Sequence, residues 1–137
     1  MHLSLFTDLT LRTLVFLGVQ QKQDPCQIVS STRIAEFFGC SVHHLSKVLQ
    51  TMRTEGWIRA HRGKEGGFTL DRPAGEYNIG EIARKLENQG DIFGKGHIAC
   101  PHVAGCPLNR EFLAAREKFF VHLDQFTLEY FVDNFPR

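Results

Sequence analysis

Within residues 31–56, two amphipathic helical patterns follow each other with only Gly39 and Cys40 between them. The first, SSTRIAEFFG, offers Ser31 or Thr32 as its cap, turns Ile34, Ala35 and Phe38 to one side, and stops at Gly39. The second begins at the cap Ser41 and runs through VHHLSKVLQTMRTEG, with Val42, Leu45, Val48, Leu49 and Met52 at steps of three and four as its inner face. So short a glycine-containing connection forces the second helix to cross the first, which is a helix-turn-helix. Directly behind it the period changes. WIRAHR and GFTLDR read as two strands joined by GKEGG, a hairpin in the position of a wing. The expected fold class is therefore mainly α with a small β-hairpin wing.

The rest of the chain is arranged around this unit. A helix starting near Thr7 or Asp8 continues through LTLRTLVFLGVQ, with Leu11, Leu14, Val15 and Gly18 on one face. Residues 77–88 read as a short helix with Ile79, Ile82, Ala83 and Leu86 inward. Residues 89–107 hold four glycines, two prolines, two histidines and two cysteines, and read as a long irregular loop of the kind that carries function. A single terminal helix is expected over residues 108–132. Phe112, Phe119, Leu123, Phe126 and Tyr130 fall there on alternating three- and four-residue steps, with Arg116 completing the register. That heptad-like seam along one long helix suits a dimer interface. The expected organisation is a DNA-binding domain over 1–75, a short helix and cysteine-bearing loop over 76–107, and a dimerisation helix over 108–137.

Net charge is only +1, but it is unevenly spread. Residues 31–64 carry six cations (Arg33, Lys47, Arg53, Arg59, Arg62, Lys64) against Glu36 and Glu55, a local +4. A basic segment in a nearly neutral chain suits a phosphate-contacting surface. No run of about 18 apolar residues marks a membrane span. The opening MHLSLFTDLTLR has no basic n-region, so a cytoplasmic protein is expected. No HExxH, no GxSxG and no paired carboxylates point to an enzyme. The GKEGG turn is not a nucleotide loop, since no Gly-Lys-Ser/Thr follows and it leads into a strand.

A recognition helix turns its N-terminal residues toward base edges. Once the inner face is set aside, Ser41, His43, His44, Ser46 and Lys47 are the outward positions, with hydroxyls and imidazoles for bases or phosphates. At the wing tip, Arg62 suits a narrow minor groove, and Lys64 adds a second cation beside it. The expected partner is a double-stranded DNA operator. A winged-helix protein-interaction module is the alternative from another class.

These same segments resemble a known family. LFTDLTLRTLVFL, GCSVHHLSKVLQTMRTEGWI, the wing HRGKEGGFTLDRPA, NIGEIARKLE and the terminal FTLEYFVDN are similar to the Rrf-type winged helix-turn-helix regulators, the IscR- and NsrR-like family. The pattern lies nearest its nitric-oxide-sensing repressors. The resemblance implies a homodimer on a pseudo-palindromic operator, with Ser41, His43, His44, Ser46 and Lys47 in the family's reading helix and Arg62 as its minor-groove arginine. It also implies an iron–sulfur cluster, of 2Fe–2S or 4Fe–4S type, held by three loop cysteines and an acidic residue near the start of the other subunit's first helix. Cys100 and Cys106 match the second and third cysteines, and Asp8 matches the acid. Where the first cysteine belongs, this chain has Gly94 and Lys95.

Several readings of the loop therefore stand side by side. His97 or His102 replaces the absent cysteine at a cluster, as mixed Cys/His ligation in Rieske centres allows. The two thiolates and two imidazoles of HIACPHVAGC bind zinc. The thiols switch by reversible oxidation with no metal. Or no cofactor is bound and the loop senses nothing. Of the remaining cysteines, Cys40 is expected in the core and Cys26 in a polar loop. Function is expected to be sequence-specific DNA binding, as a repressor answering redox, nitric oxide or iron–sulfur status.

Overall fold

The structure, a computed structural model, describes residues 2–87, 101 and 105–136. Cys100, His97 and His102 lie outside the described residues. The chain divides into two compact units, one of Met1–Tyr77 with Thr127–Arg137 and one of Asn78–Phe126.

The first unit is organised on α1 (Leu5–Gln23), which is buried on most sides through Thr7, Leu9, Thr10, Thr13, Leu14, Phe16, Leu17, Gly18 and Gln20. Its cap is Ser4 and not Thr7 or Asp8: the Ser4 hydroxyl accepts the Thr7 N–H at 3.2 Å. Thr7 is itself wholly buried, one turn further in. α2 (Ser31–Phe38) and α3 (Val42–Thr54) form the helix-turn-helix. α2 is capped by Ser30, one residue before the expected cap, through its hydroxyl on Arg33 N–H. Gly39 stops α2 at φ 61°, in the left-handed region that a side chain resists, so the chain reverses within two residues into the Ser41 cap.

Leu45, Val48, Leu49 and Met52 point into the core as spaced. Val42 does not. It is 50% exposed, because the first turn of α3 overhangs the edge of the core. Cys40, expected in the core, is half-buried for the same reason, lying in the turn and not beneath it.

The wing is an antiparallel pair of β1 (Ile58–His61) and β2 (Gly67–Leu70), in the register Ile58↔Leu70 to His61↔Gly67. Val29 adds a bridge on the far side of β2, exchanging both backbone hydrogen bonds with Phe68 at 3.1 and 2.8 Å. A side chain at Gly67 would run into the Val29 carbonyl. A 3-10 turn, α4 (Ala74–Glu76), leads out of the wing.

The second unit pairs α5 (Ile79–Glu87) with α6 (Pro107–Leu123). The single helix expected over 108–132 is two: α6 ends at Leu123, and α7 (Leu128–Asp133) follows and packs on α1 within the first unit. The break has a local cause. Asn78 Nδ2 donates to the Asp124 carbonyl at 2.8 Å, and the Ile79 N–H donates to the Phe126 carbonyl at 3.0 Å. These bonds satisfy backbone groups that a continued helix would keep for itself. Phe126 and Tyr130 therefore do not continue the α6 register. Among the described residues, no helix is long and apolar enough to cross a membrane.

Candidate nucleic-acid interface

The N-terminal half of α3 presents Ser41, Val42, His43, Ser46, Lys47 and Gln50 as exposed residues. Two of their polar groups are already engaged. Ser41 Oγ accepts the His44 N–H at 3.1 Å, and Ser46 Oγ donates to the Val42 carbonyl at 2.7 Å. Each hydroxyl keeps a lone pair, so both can still accept. His43 and Lys47 stand outward one turn apart. His44 is half-buried, and its Nε2 is shut off from solvent with no hydrogen-bond partner among the described residues. That edge of the ring faces protein.

The wing tip places Arg62 and Lys64 in an exposed five-residue loop closed by Gly66 N–H on the Gly63 carbonyl at 3.0 Å. The strands beneath are braced by His61 Nε2 against Thr69 Oγ1 at 2.9 Å, so His61 serves the hairpin. The cations of the basic segment divide into two groups. Arg59 is tied to Asp71 at 3.2 Å, and Arg33 donates to Gln20 Oε1 at 3.0 Å. Lys47, Arg53, Arg62 and Lys64 form no ion pair among the described residues. Helix and wing thus offer unneutralised cations that all follow the start of α3 in sequence, within one compact unit.

Of the expected cofactor ligands, two lie among the described residues. Asp8 sits in the first turn of α1, partly exposed, with its carboxylate accepting from Arg12 Nε at 2.7 Å. Cys106 is a half-buried free thiol at the N-cap of α6, and its side chain makes no capping bond. No three His, Cys, Asp or Glu groups come together as a metal site among the described residues. The donor set in the sequence, two thiols, two imidazoles and a carboxylate, suits a mixed-ligand centre in type. The described geometry assembles none of it.

The expected interface residues fall on two units. Phe112, Phe119 and Leu123 belong to α6, where Phe112 is 47% exposed and Phe119 and Leu123 are half-buried. Leu108, Leu113 and Val121 on the same helix are also exposed, and Phe120 is its one buried residue. Sequence reasoning missed three features: the outward turn of Val42, the Tyr77 hydroxyl at the heart of the first unit, and the Arg84–Asp124 pair. Only the last left a signal, as opposite charges on neighbouring elements.

The Rrf2 family, described as iron-dependent transcriptional regulators, matches residues 3–134. The HTH-type transcriptional regulator NsrR of Oceanobacillus iheyensis is 36% identical over 137 residues, spanning 98% of this chain and 91% of that protein. The HTH-type transcriptional repressor NsrR of Streptomyces coelicolor is 32% identical over 129 residues, 93% and 86% of the two chains. In fold, the oxidised form of CymR from Staphylococcus aureus aligns over the whole of both chains with a TM-score of 0.75 at 25% identity. IscR of T. potens aligns with a TM-score of 0.74 at 22% identity, over 98% of this chain and 88% of that one.

Proposed function

The chain belongs to the Rrf2 family and is a DNA-binding transcription regulator, not an enzyme, and from that premise we propose a cytoplasmic homodimeric repressor whose hold on a pseudo-palindromic operator follows redox, nitric oxide or iron–sulfur status. The observation that carries the DNA-facing part is the set of unpaired cations Lys47, Arg62 and Lys64, beside the exposed N-terminal turn of α3. α3 enters the major groove, where His43, Ser46 and Lys47 meet base edges and phosphates, Ser41 accepts at the helix start, and His44 is left its Nδ1 edge. Arg62 enters the adjoining minor groove and Lys64 takes a phosphate. The experiment is fluorescence anisotropy on operator and scrambled duplexes across a salt series. Regulator binding requires affinity that falls steeply with salt and exceeds that for scrambled DNA. A protein-interaction module would show neither.

Dimerisation is assigned to α6. Leu108, Phe112, Leu113 and Val121 lie exposed on one 17-residue helix, with Phe119 and Leu123 half-buried beside them. So much apolar surface is what a self-complementary interface removes from water.

Sensing is assigned to Cys100 and Cys106. A cluster would be held by these thiolates with His97 or His102 and with Asp8 from the other subunit, and when bound it would supply iron reactive toward oxidants and nitric oxide. Cys106 is the N-cap of α6, so chemistry at its thiol acts at the start of that helix. A second reading, a metal-free thiol switch, is favoured by Gly94 and Lys95 standing where the first of the three loop cysteines belongs. An anaerobic visible spectrum with iron and sulfide assays separates the two. Stoichiometric iron supports the cluster, and colourless protein supports the thiols.

A further inference from the structure

We infer that Val42 reads the 5-methyl group of a thymine in each operator half-site, an assignment that rests on the DNA-binding role of α3. Its spacing puts Val42 with the inner face, yet the inner face is complete without it: Leu45, Val48 and Met52 are wholly buried and Leu49 nearly so. Val42 is the first residue of α3 after the Ser41 cap and is 50% exposed. That position is the part of a recognition helix that approaches base edges most closely.

What its neighbours can do narrows what Val42 meets. The Ser41 hydroxyl already accepts the His44 N–H and the Ser46 hydroxyl already donates to the Val42 carbonyl, so beyond the bonds these two can still make, hydrogen-bond reading falls to His43, Lys47 and Gln50. Val42 offers neither donor nor acceptor. Against a guanine, a cytosine amine or an adenine edge it would strip water from a polar group without replacing the bond, which is costly. The thymine methyl is the one apolar feature on the major-groove edges. Two methyls of a β-branched side chain, stiff at χ1 in a helix, also lose little rotamer freedom on contact. Gly39 and the Ser41 cap fix where the turn begins, so the side chain is presented in one place.

The test uses the full-length protein and sites selected from a random-sequence duplex library. In the selected site each thymine is replaced in turn by deoxyuridine, which removes the methyl and leaves every hydrogen-bonding group unchanged. The expected result is one symmetry-related pair of positions where the replacement weakens binding about fourfold per half-site, the worth of one buried methyl-sized group. Val42→Ala should lose a similar factor on the thymine site and become indifferent to thymine or deoxyuridine at that pair alone. Deoxyuridine tolerated everywhere by the wild type would overturn the assignment, as would Val42→Ala keeping full discrimination. A changed monomer–dimer equilibrium in Val42→Ala, by sedimentation, would also overturn it, since a second copy and not DNA would then cover the side chain. Failure of selection to enrich any sequence would instead remove the DNA-reading premise itself.

Discussion

Tyr77 is completely buried, and its hydroxyl serves three backbone groups at once. It donates to the Trp57 carbonyl at 2.7 Å and accepts the N–H groups of Asp71 at 3.0 Å and Arg72 at 3.2 Å. The entrance and exit of the wing are thereby tied to one phenol, with the Arg72 guanidinium 4.4 Å above its ring. Tyr77→Phe takes its partner from the Arg72 N–H and leaves the Asp71 N–H and the Trp57 carbonyl only their bond to each other at 3.2 Å, and is expected to cost about 1–2 kcal/mol, read as a lower urea midpoint at unchanged slope. Burial pushes the Tyr77 pKa above the ordinary 10.0, outweighing the bonds from Arg72 and Asp71 that pull it down. A raised value means the folded state holds the proton more tightly. Its contribution is complete below pH 10 and is lost as pH climbs toward the folded value, a loss that Tyr77→Phe should lack. At the wing tip the stakes are in binding. Arg62→Ala should weaken operator binding about tenfold with little effect on stability, because the side chain is exposed; equal affinity would sink the minor-groove assignment. These two residues differ in legibility. The place of Arg62 on an exposed wing tip is legible because a cation on a glycine-rich turn is a local pattern. Tyr77 was not, because its partners are backbone groups up to 20 positions away and leave no mark on residue type. Val42 was misplaced because spacing cannot tell the first turn of a helix, which overhangs its core, from the turns that rest on it.

At the scale of elements, local periodicity carried α3, the wing strands and α5, where one side of the segment faces one core. It failed at the end of α6. The steps of three and four continue from Phe112 to Tyr130, but the turn after Leu123 is decided by partners near residue 80. Arg84 donates to both Asp124 carboxylate oxygens, at 3.1 and 2.8 Å, and to Glu117 at 3.1 Å. Gly80 lies so close that a Cβ there would collide with the Asp124 carboxylate and stand 2.5 Å from its backbone nitrogen. Gly80→Ala must therefore push α5 off the turn, and a loss of about 3 kcal/mol is expected in thermal or urea unfolding. The hydrogen bonds from Arg84 hold the Asp124 carboxyl below its ordinary 3.8, and the Asp124 bond in turn raises Arg84. A lowered carboxyl favours folding above pH 3.8 and ceases to do so as pH falls through the folded value. Acid titration of stability should show that loss in the wild type and not in Asp124→Asn. A wild-type curve matching the variant's would mean the pair is screened by solvent and does not hold the turn.

For the whole molecule, every residue assigned to DNA belongs to the unit of Met1–Tyr77 with Thr127–Arg137, whereas Cys106 and α6 belong to Asn78–Phe126. On the proposed reading, a signal received by Cys100 and Cys106 arises in the second unit and has to reach the DNA-reading unit, for which Asp8 on α1 is the candidate contact at a cluster. The two effects are linked by one coupling free energy, and the linkage is reciprocal. If oxidation or cofactor loss changes operator affinity by some factor, saturation with operator must shift the equilibrium at the loop by the same factor. For a two-electron thiol couple, tenfold corresponds to about 30 mV. Cys106→Ala and Cys100→Ala are expected to leave the oligomeric state unchanged by sedimentation and to fix operator affinity at one value, unresponsive to oxidant or nitric oxide. In the wild type, redox midpoints measured with operator and with scrambled duplex should differ by the amount that the affinity ratio dictates. Equal midpoints beside a large affinity ratio would mean that the oxidised species had lost its fold and not switched. A full response in both cysteine variants would move the sensor elsewhere in the chain, with the exposed Cys26 thiol as the first residue to replace.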